Sequence, residues 1–180
     1  FMEGIIESMK ELGIPAGQMY IREVNCAGDL EDGGYISMAD RTGIDLAGIE
    51  TPYFNLPAAL ARDISSLLKR GVKLTLVVGD KTANDFYIPE DKPFKTIGGL
   101  PYLYESNLKR FARKYQHLLQ SGQLNLHLWK DGCNSFHLKG IYADNRFVML
   151  TGHNLNPRAW RLDIENGLLI DDPEQALKAM

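Results

Sequence analysis

The chain has 180 residues, 44% of them hydrophobic and 24% charged, the composition of a soluble globular domain long enough to bury a sizeable core. A formal net charge of −3 excludes a globally basic nucleic-acid binder, so any anion site must be local. Two cysteines, Cys26 and Cys133, exclude a disulfide framework and cysteine metal-ligand spacing, and the short apolar runs exclude a bilayer span. A reducing compartment and, at most, a peripheral membrane role are the expectations.

The chain opens in an amphipathic pattern (Met2, Ile5, Ile6, Met9, Leu12) that predicts a helix, and "CAGDLEDGGYISMADRTG" then predicts a loop. Residues 1–42 read as a separate segment continuing an upstream half, and 43–180 as one α/β domain. Within that domain "IDLAGIETPYFN" predicts a strand running into a polar and aromatic loop. The next stretch, "LPAALARDISSLLKRG", predicts a helix with Leu60, Ile64, Leu67 and Leu68 inward and Gly71 just past its end, and "VKLTLVVGD" a buried strand. Strand, helix and strand at this spacing form a right-handed βαβ unit with parallel strands. Residues 81–101, with three prolines and Gly98-Gly99, are long for an unstructured connection and read as either a functional or a mobile loop, with a place near the site expected. A helix follows over "ESNLKRFARKYQHLLQSG", with Leu108, Phe111, Tyr115, Leu118 and Leu119 inward, then a strand over "QLNLHLW". Near the end, Asp172-Pro173 signals another helix start.

Between these last elements lies "FHLKGIYADNRFVMLTGHN", which reads as a hairpin. If Asp144 and Asn145 form a two-residue turn, Ala143 faces Arg146 and His137 faces Gly152. His137, Lys139, Gly152 and Asn154 then share one face, with the glycine leaving space beside the imidazole for a phosphate. An imidazole titrating near neutrality suits attack on phosphorus or proton donation there, and a lysine ammonium neutralises phosphoryl oxygens. Asn154 supplies a further donor, and Glu165, a carboxylate in "IENGLLI", suits orientation of the imidazole. The chemistry requires no metal and no cofactor.

The full spacing, His137-x-Lys139, Asp144, Thr151-Gly152-x-Asn154 and then Glu165, resembles the repeated H-x-K-x4-D-x6-G-[GS]-x-N motif of the phospholipase D superfamily, with Thr151 at the usual first glycine. The flanking "TGHNLNPRAWRLDIENGLLI" and the upstream "TPYFNLP" are similar to the bacterial phosphatidylserine synthase branch of that superfamily, over at least 43–172. The resemblance implies a phospholipase D-like half-domain, a mixed β-sheet flanked by helices. It further implies transfer of a phosphatidyl group from CDP-diacylglycerol to L-serine through a phosphohistidine, in the cytoplasm at the inner membrane's anionic surface, with no nucleic acid required. Family members pair two such motifs, in one chain or across a dimer. These 180 residues carry one, so the chain reads as a carboxy-terminal half that needs an amino-terminal half or a homodimer partner.

On the same resemblance His137, Lys139, Asn154 and Glu165 are the expected catalytic set. Asp144 is expected to be structural, because a turn position accounts for it. Tyr53 and Asn55, after a strand's carboxyl end, are placed on the substrate cleft with Gly152. Arg158 and Arg161 suit a diphosphate or, equally, structural ion pairs. Lys109, Arg110, Arg113 and Lys114 read as a solvated face, with an anionic-lipid contact as the other reading. His117, His127 and His153 are expected at the surface or in structural roles, and Trp129 and Trp160 in packing. Two other functions compete: a different superfamily phosphodiesterase or transferase (a phospholipase, a cardiolipin-forming transferase or a nuclease), and a non-catalytic assembly half.

Overall fold

A computed structural model describes residues 22–23, 45–144, 146–163, 165 and 167–171. The expected amino-terminal helix, most of the 1–42 segment and the helix start at Asp172 lie outside the described residues.

The strands are β1 (Arg22–Glu23), β2 (Leu46–Thr51), β3 (Lys73–Gly79), β4 (Leu124–Trp129), β5 (Gly140–Ala143), β6 (Phe147–Thr151) and β7 (Gly167–Asp171). They form one sheet in the order β1-β7-β6-β5-β2-β3-β4. Pairing is parallel from β2 through β3 to β4, and antiparallel from β2 through β5, β6 and β7 to β1. The sheet is thus mixed, as expected, and the predicted βαβ unit supplies β2 and β3 of its parallel part, which β4 extends.

Helix α1 (Ala58–Lys69) forms where the apolar spacing predicted, burying Leu60, Ile64, Leu67 and Leu68. Its end is set by Gly71 at φ +90, a left-handed conformation that β-carbons disfavour. There the Gly71 N–H donates to Leu68 O (3.2 Å) and the Val72 N–H to Leu67 O (3.2 Å), which satisfies the last carbonyls and turns the chain into β3. One face of β2 and β3 alternates into the core, where Ala47, Ile49, Leu74, Leu76 and Val78 meet the α1 leucines. Truncating a buried side chain such as Ile64 in this layer removes about 2–5 kcal/mol of stability.

The second helical region differs from expectation. It begins earlier, as α2 (Leu100–Lys114), because Pro101 tolerates the first turn, where no N–H partner is needed. It then divides at Tyr115 before α3 (Gln116–Ser121). Tyr115 is the reason for the division. Its ring packs on Phe111 (4.8 Å between centroids), its hydroxyl is hydrogen-bonded to Ser65 of α1, and its backbone leaves the helical region at φ −111, ψ 25. Leu108 and Tyr115 are buried and Phe111, Leu118 and Leu119 partly so. Lys109, Arg110, Arg113 and Lys114 lie exposed, as a solvated face would. At the edge of the sheet the alternation breaks down: Leu124 is buried but Leu128 is 56% exposed. Leu128, Leu126, Phe54, Val78 and Leu108 wall a cavity of about 170 Å³.

The hairpin register also corrects expectation. The pairs are Ala143↔Phe147, Tyr142↔Val148, Ile141↔Met149 and Gly140↔Leu150, one residue off the predicted count, so the turn holds three residues rather than two. Asp144 does adopt the left-handed conformation, at φ 52. Its Oδ1 is committed elsewhere, accepting from the Asp45 N–H (3.0 Å) and the Leu46 N–H (2.9 Å) at the start of β2. The turn is thereby tied across the sheet. Asp144→Ala is expected to cost about 2 kcal/mol, from two charge-assisted hydrogen bonds and a β-carbon at positive φ without a side-chain acceptor. The denaturant midpoint of the folded protein measures it. Unchanged stability with lost turnover would instead place Asp144 in the chemistry.

Candidate active site

The site is assembled where the parallel strands end. After β3, Asp80 donates its backbone N–H to Trp129 O of β4 (2.9 Å), and its carboxylate accepts from the Thr82 N–H (2.9 Å) and hydroxyl (2.7 Å). This pins a short 3₁₀ turn over Lys81–Ala83. Buried Asn84 accepts the Phe86 N–H on its side-chain oxygen (2.9 Å), which shapes the loop around Asp85. The same loop holds the segment before β5, since the Phe136 N–H donates to Ala83 O (3.0 Å). Phe136 is buried and stacked on Trp129 (5.1 Å between centroids), so its neighbour His137 is delivered to the mouth of the parallel strands. Gly79 permits this approach, because a β-carbon there would lie 3.2 Å from that of Phe136 and 3.0 Å from Pro52 O.

His137 Nε2 lies 3.0 Å from Asp85 Oδ1, with the imidazole 56% and the carboxylate 36% exposed. The other carboxylate oxygen accepts the Tyr53 hydroxyl at 2.7 Å. Burial pushes the Asp85 carboxyl up, but hydrogen bonds from Tyr53, His137 and Ser135 outweigh it and hold the group below its ordinary range. Burial and the bond to Asp85 push the Tyr53 hydroxyl well above the ordinary tyrosine value, so it remains a donor. The Lys139 ammonium donates to the His137 carbonyl oxygen at 2.9 Å. Burial lowers the pKa of Lys139, against the opposing influence of Glu165 and Asp85.

The expected residues meet this cluster unequally. His137, Lys139 and Glu165 share one electrostatic environment, but the carboxylate on Nε2 is that of Asp85, not of Glu165. The space at Gly152 is taken by Glu165, whose Oε2 would lie 2.7 Å from an added β-carbon, so it is not open beside the imidazole. The corrected register agrees, since the Thr151 N–H reaches Lys139 O (3.4 Å) and Gly152 is not opposite His137. Tyr53 joins the site through Asp85, whereas Asn55 accepts from Asn107 (3.4 Å). Arg158 takes the ion-pair option, with Asp163 at 3.4 Å, and Arg161 is exposed. The buried Asn154 Oδ1 and both ring nitrogens of buried His153 have no hydrogen-bond partner among the described residues. Burial lowers the His153 pKa, with Asp163 and Glu165 opposing, which favours a neutral ring beside Trp160.

Asp85 is the member that the sequence did not disclose. The loop over 81–101 was placed near the site, but one aspartate in it has no local signature, and its partner His137 lies 52 positions away.

A carboxylate, an imidazole and a lysine converging at a strand-end mouth are suited to moving a proton beside a phosphoryl group. The family described as "Cardiolipin synthase, PLD-like domain" matches residues 39–180, a span that holds the whole cluster. The chain belongs to the PLD-like domain family. Within it, the chain is similar to the CDP-diacylglycerol–serine O-phosphatidyltransferase of Haemophilus influenzae, 60% identical over 129 residues, 72% of this chain and 28% of that protein. It is likewise 60% identical over 127 residues to the enzyme of the same name, PssA, from Escherichia coli, covering 71% and 28% of the two chains. The crystal structure of phosphatidylserine synthase from Haemophilus influenzae superposes with a TM-score of 0.81 at 48% identity, over 89% of this chain and 36% of that one. The chain therefore spans 28% of the length of these PLD-like relatives. No helix among the described residues is long and apolar enough to cross a membrane.

Proposed function

We propose that the protein carrying this chain transfers the phosphatidyl group of CDP-diacylglycerol to L-serine, releasing CMP. The observation that carries the reading is 60% identity to two CDP-diacylglycerol–serine O-phosphatidyltransferases over 129 and 127 residues, and the PLD-like domain match over 39–180 is the span that contains His137, Lys139, Asp144, Asn154 and Glu165. In this reading a histidine nitrogen from the other motif attacks phosphorus, the bond to the CMP oxygen breaks, and His137 gives that oxygen its proton. The serine hydroxyl then attacks the phosphohistidine and its proton returns to His137, so each turnover restores both imidazoles. Lys139 neutralises the phosphoryl oxygens, Asn154 donates to another, and Glu165 supports the charged groups through Lys139. Arg161 flanks the diphosphate path while Arg158 is held by Asp163, Asp144 braces the hairpin, Tyr53 and Asn55 shape the cleft, and Gly152 leaves room for Glu165. The protein works from the cytoplasmic side, peripherally on the anionic inner membrane, with the second motif supplied by an amino-terminal half or a partner copy.

The test is CMP release from labelled CDP-diacylglycerol by the protein carrying both motifs, with and without serine. Release is expected to rise with serine, with phosphatidylserine as product. Release indifferent to serine, with phosphatidic acid accumulating, would assign the site to a hydrolase of the same family.

A further inference from the structure

We propose that Asp85 is the acceptor-selecting residue of this site, binding the ammonium group of serine while the hydroxyl of serine sits at His137. The inference rests on the phosphatidyl-transfer reading and adds to it a residue that lies outside the H-x-K motif.

Geometry carries it. For the acceptor hydroxyl to lose its proton to His137, it must come within hydrogen-bond reach of a ring nitrogen. The ring nitrogen turned toward the loop after β3 is Nε2, and the atom 3.0 Å from it is Asp85 Oδ1. Serine bears its ammonium on the carbon next to the one that bears its hydroxyl. A hydroxyl placed at Nε2 therefore leaves the ammonium within one hydrogen-bond length of a carboxylate in the position of Asp85. Acceptors without that cation, water and simple diols among them, leave the carboxylate with its histidine and gain nothing.

The carboxylate is built for this exchange. Tyr53 holds Oδ2 at 2.7 Å from a buried ring, which anchors the carboxylate beside the imidazole while Oδ1 turns from Nε2 to the ammonium and leaves Nε2 to the hydroxyl. Oδ1 meets an imidazole that is 56% exposed in this chain, which leaves room beside the pair for a small amino acid. The loop itself is clamped at Asp80, Asn84 and Ala83, so the acceptor meets a preformed site and pays little ordering cost. Asp85 remains ionised at neutral pH because hydrogen bonds from Tyr53, His137 and Ser135 outweigh its burial.

The experiment compares the parent protein, Asp85→Asn and Asp85→Glu, each carrying both motifs and each checked for an unchanged thermal melt. Serine-dependent CMP release is measured across serine concentrations, and CMP release without serine is followed in parallel. Losing a charged hydrogen bond to the ammonium is expected to raise the serine KM of Asp85→Asn by about 10- to 100-fold. Its serine-free CMP release should fall by less, and Asp85→Glu should recover part of the KM. Added ethylene glycol, which has the hydroxyl but no ammonium, should compete better in Asp85→Asn than in the parent. A serine KM in Asp85→Asn within twofold of the parent, with only kcat reduced, would overturn the inference and leave Asp85 as a positioning residue for His137. A parent whose CMP release ignores serine would instead overturn the transfer reading itself, and this inference with it.

Discussion

His137→Asn is expected to lower turnover by about 10²–10⁴-fold, the usual range for removing a positioned acid and base. An amide neither accepts nor delivers a proton near neutral pH, so both proton transfers at phosphorus and at the acceptor hydroxyl stop. The fold should survive. The imidazole is 56% exposed and its ion pair is a surface one, worth about 0–1 kcal/mol at most. The anchors of the segment are its neighbours, through the Phe136 N–H to Ala83 O and the stacking of Phe136 on Trp129. Parallel measurement of kcat and of the thermal melt tests this. A folded variant retaining a tenth or more of the parent activity would remove His137 from the chemistry.

Lys139→Ala carries the second-largest expected loss, about 10²–10³-fold in kcat, the effect of deleting one charged donor aimed at a phosphoryl oxygen in a partly desolvated site. A pH profile gives an independent check. Burial holds the Lys139 pKa below the ordinary 10.5, so the ammonium discharges as pH rises through that lowered value. Activity that depends on its charge should therefore fall on the alkaline side earlier than an ordinary lysine would dictate. In Lys139→Ala that limb should disappear from the residual activity. A variant with normal kcat that fails only to sediment with anionic vesicles would assign Lys139 to membrane contact instead.

Local rules reached some of these groups and not others. Leu60, Ile64, Leu67, Leu68 and Gly71 were legible because periodicity and a left-handed helix end act within one or two turns of chain. The parallel β2–β3 pairing followed from the strand–helix–strand order and the length of the connection. The hairpin register escaped because Asp144 and Asn145 both suit a two-residue turn, whereas the carboxylate that ties the turn to β2 finds its donors 99 and 98 positions away. Tyr115 escaped in the same way: nothing in "ARKYQHL" announces that its hydroxyl meets Ser65, 50 positions back. Motif spacing singled out His137, Lys139 and Asn154 as candidates, with Glu165 beyond, whereas Asp85 meets His137 through a fold contact, which only the packed sheet could supply.

The three-residue turn gives the motif's spacing a meaning as a measured length. With Ala143↔Phe147 fixed as the first rung, the four residues from Lys139 to Asp144 and the six from Asp144 to Thr151 set how far each arm extends toward the mouth of the parallel strands. One residue added to each arm would keep every rung paired, yet would turn Lys139 to the opposite side of the sheet. Two added to each would restore the side but carry the lysine about 7 Å past the loop that holds Asp85. The hairpin therefore works as a ruler, tolerant of changes in many of its residues and intolerant of changes in their number.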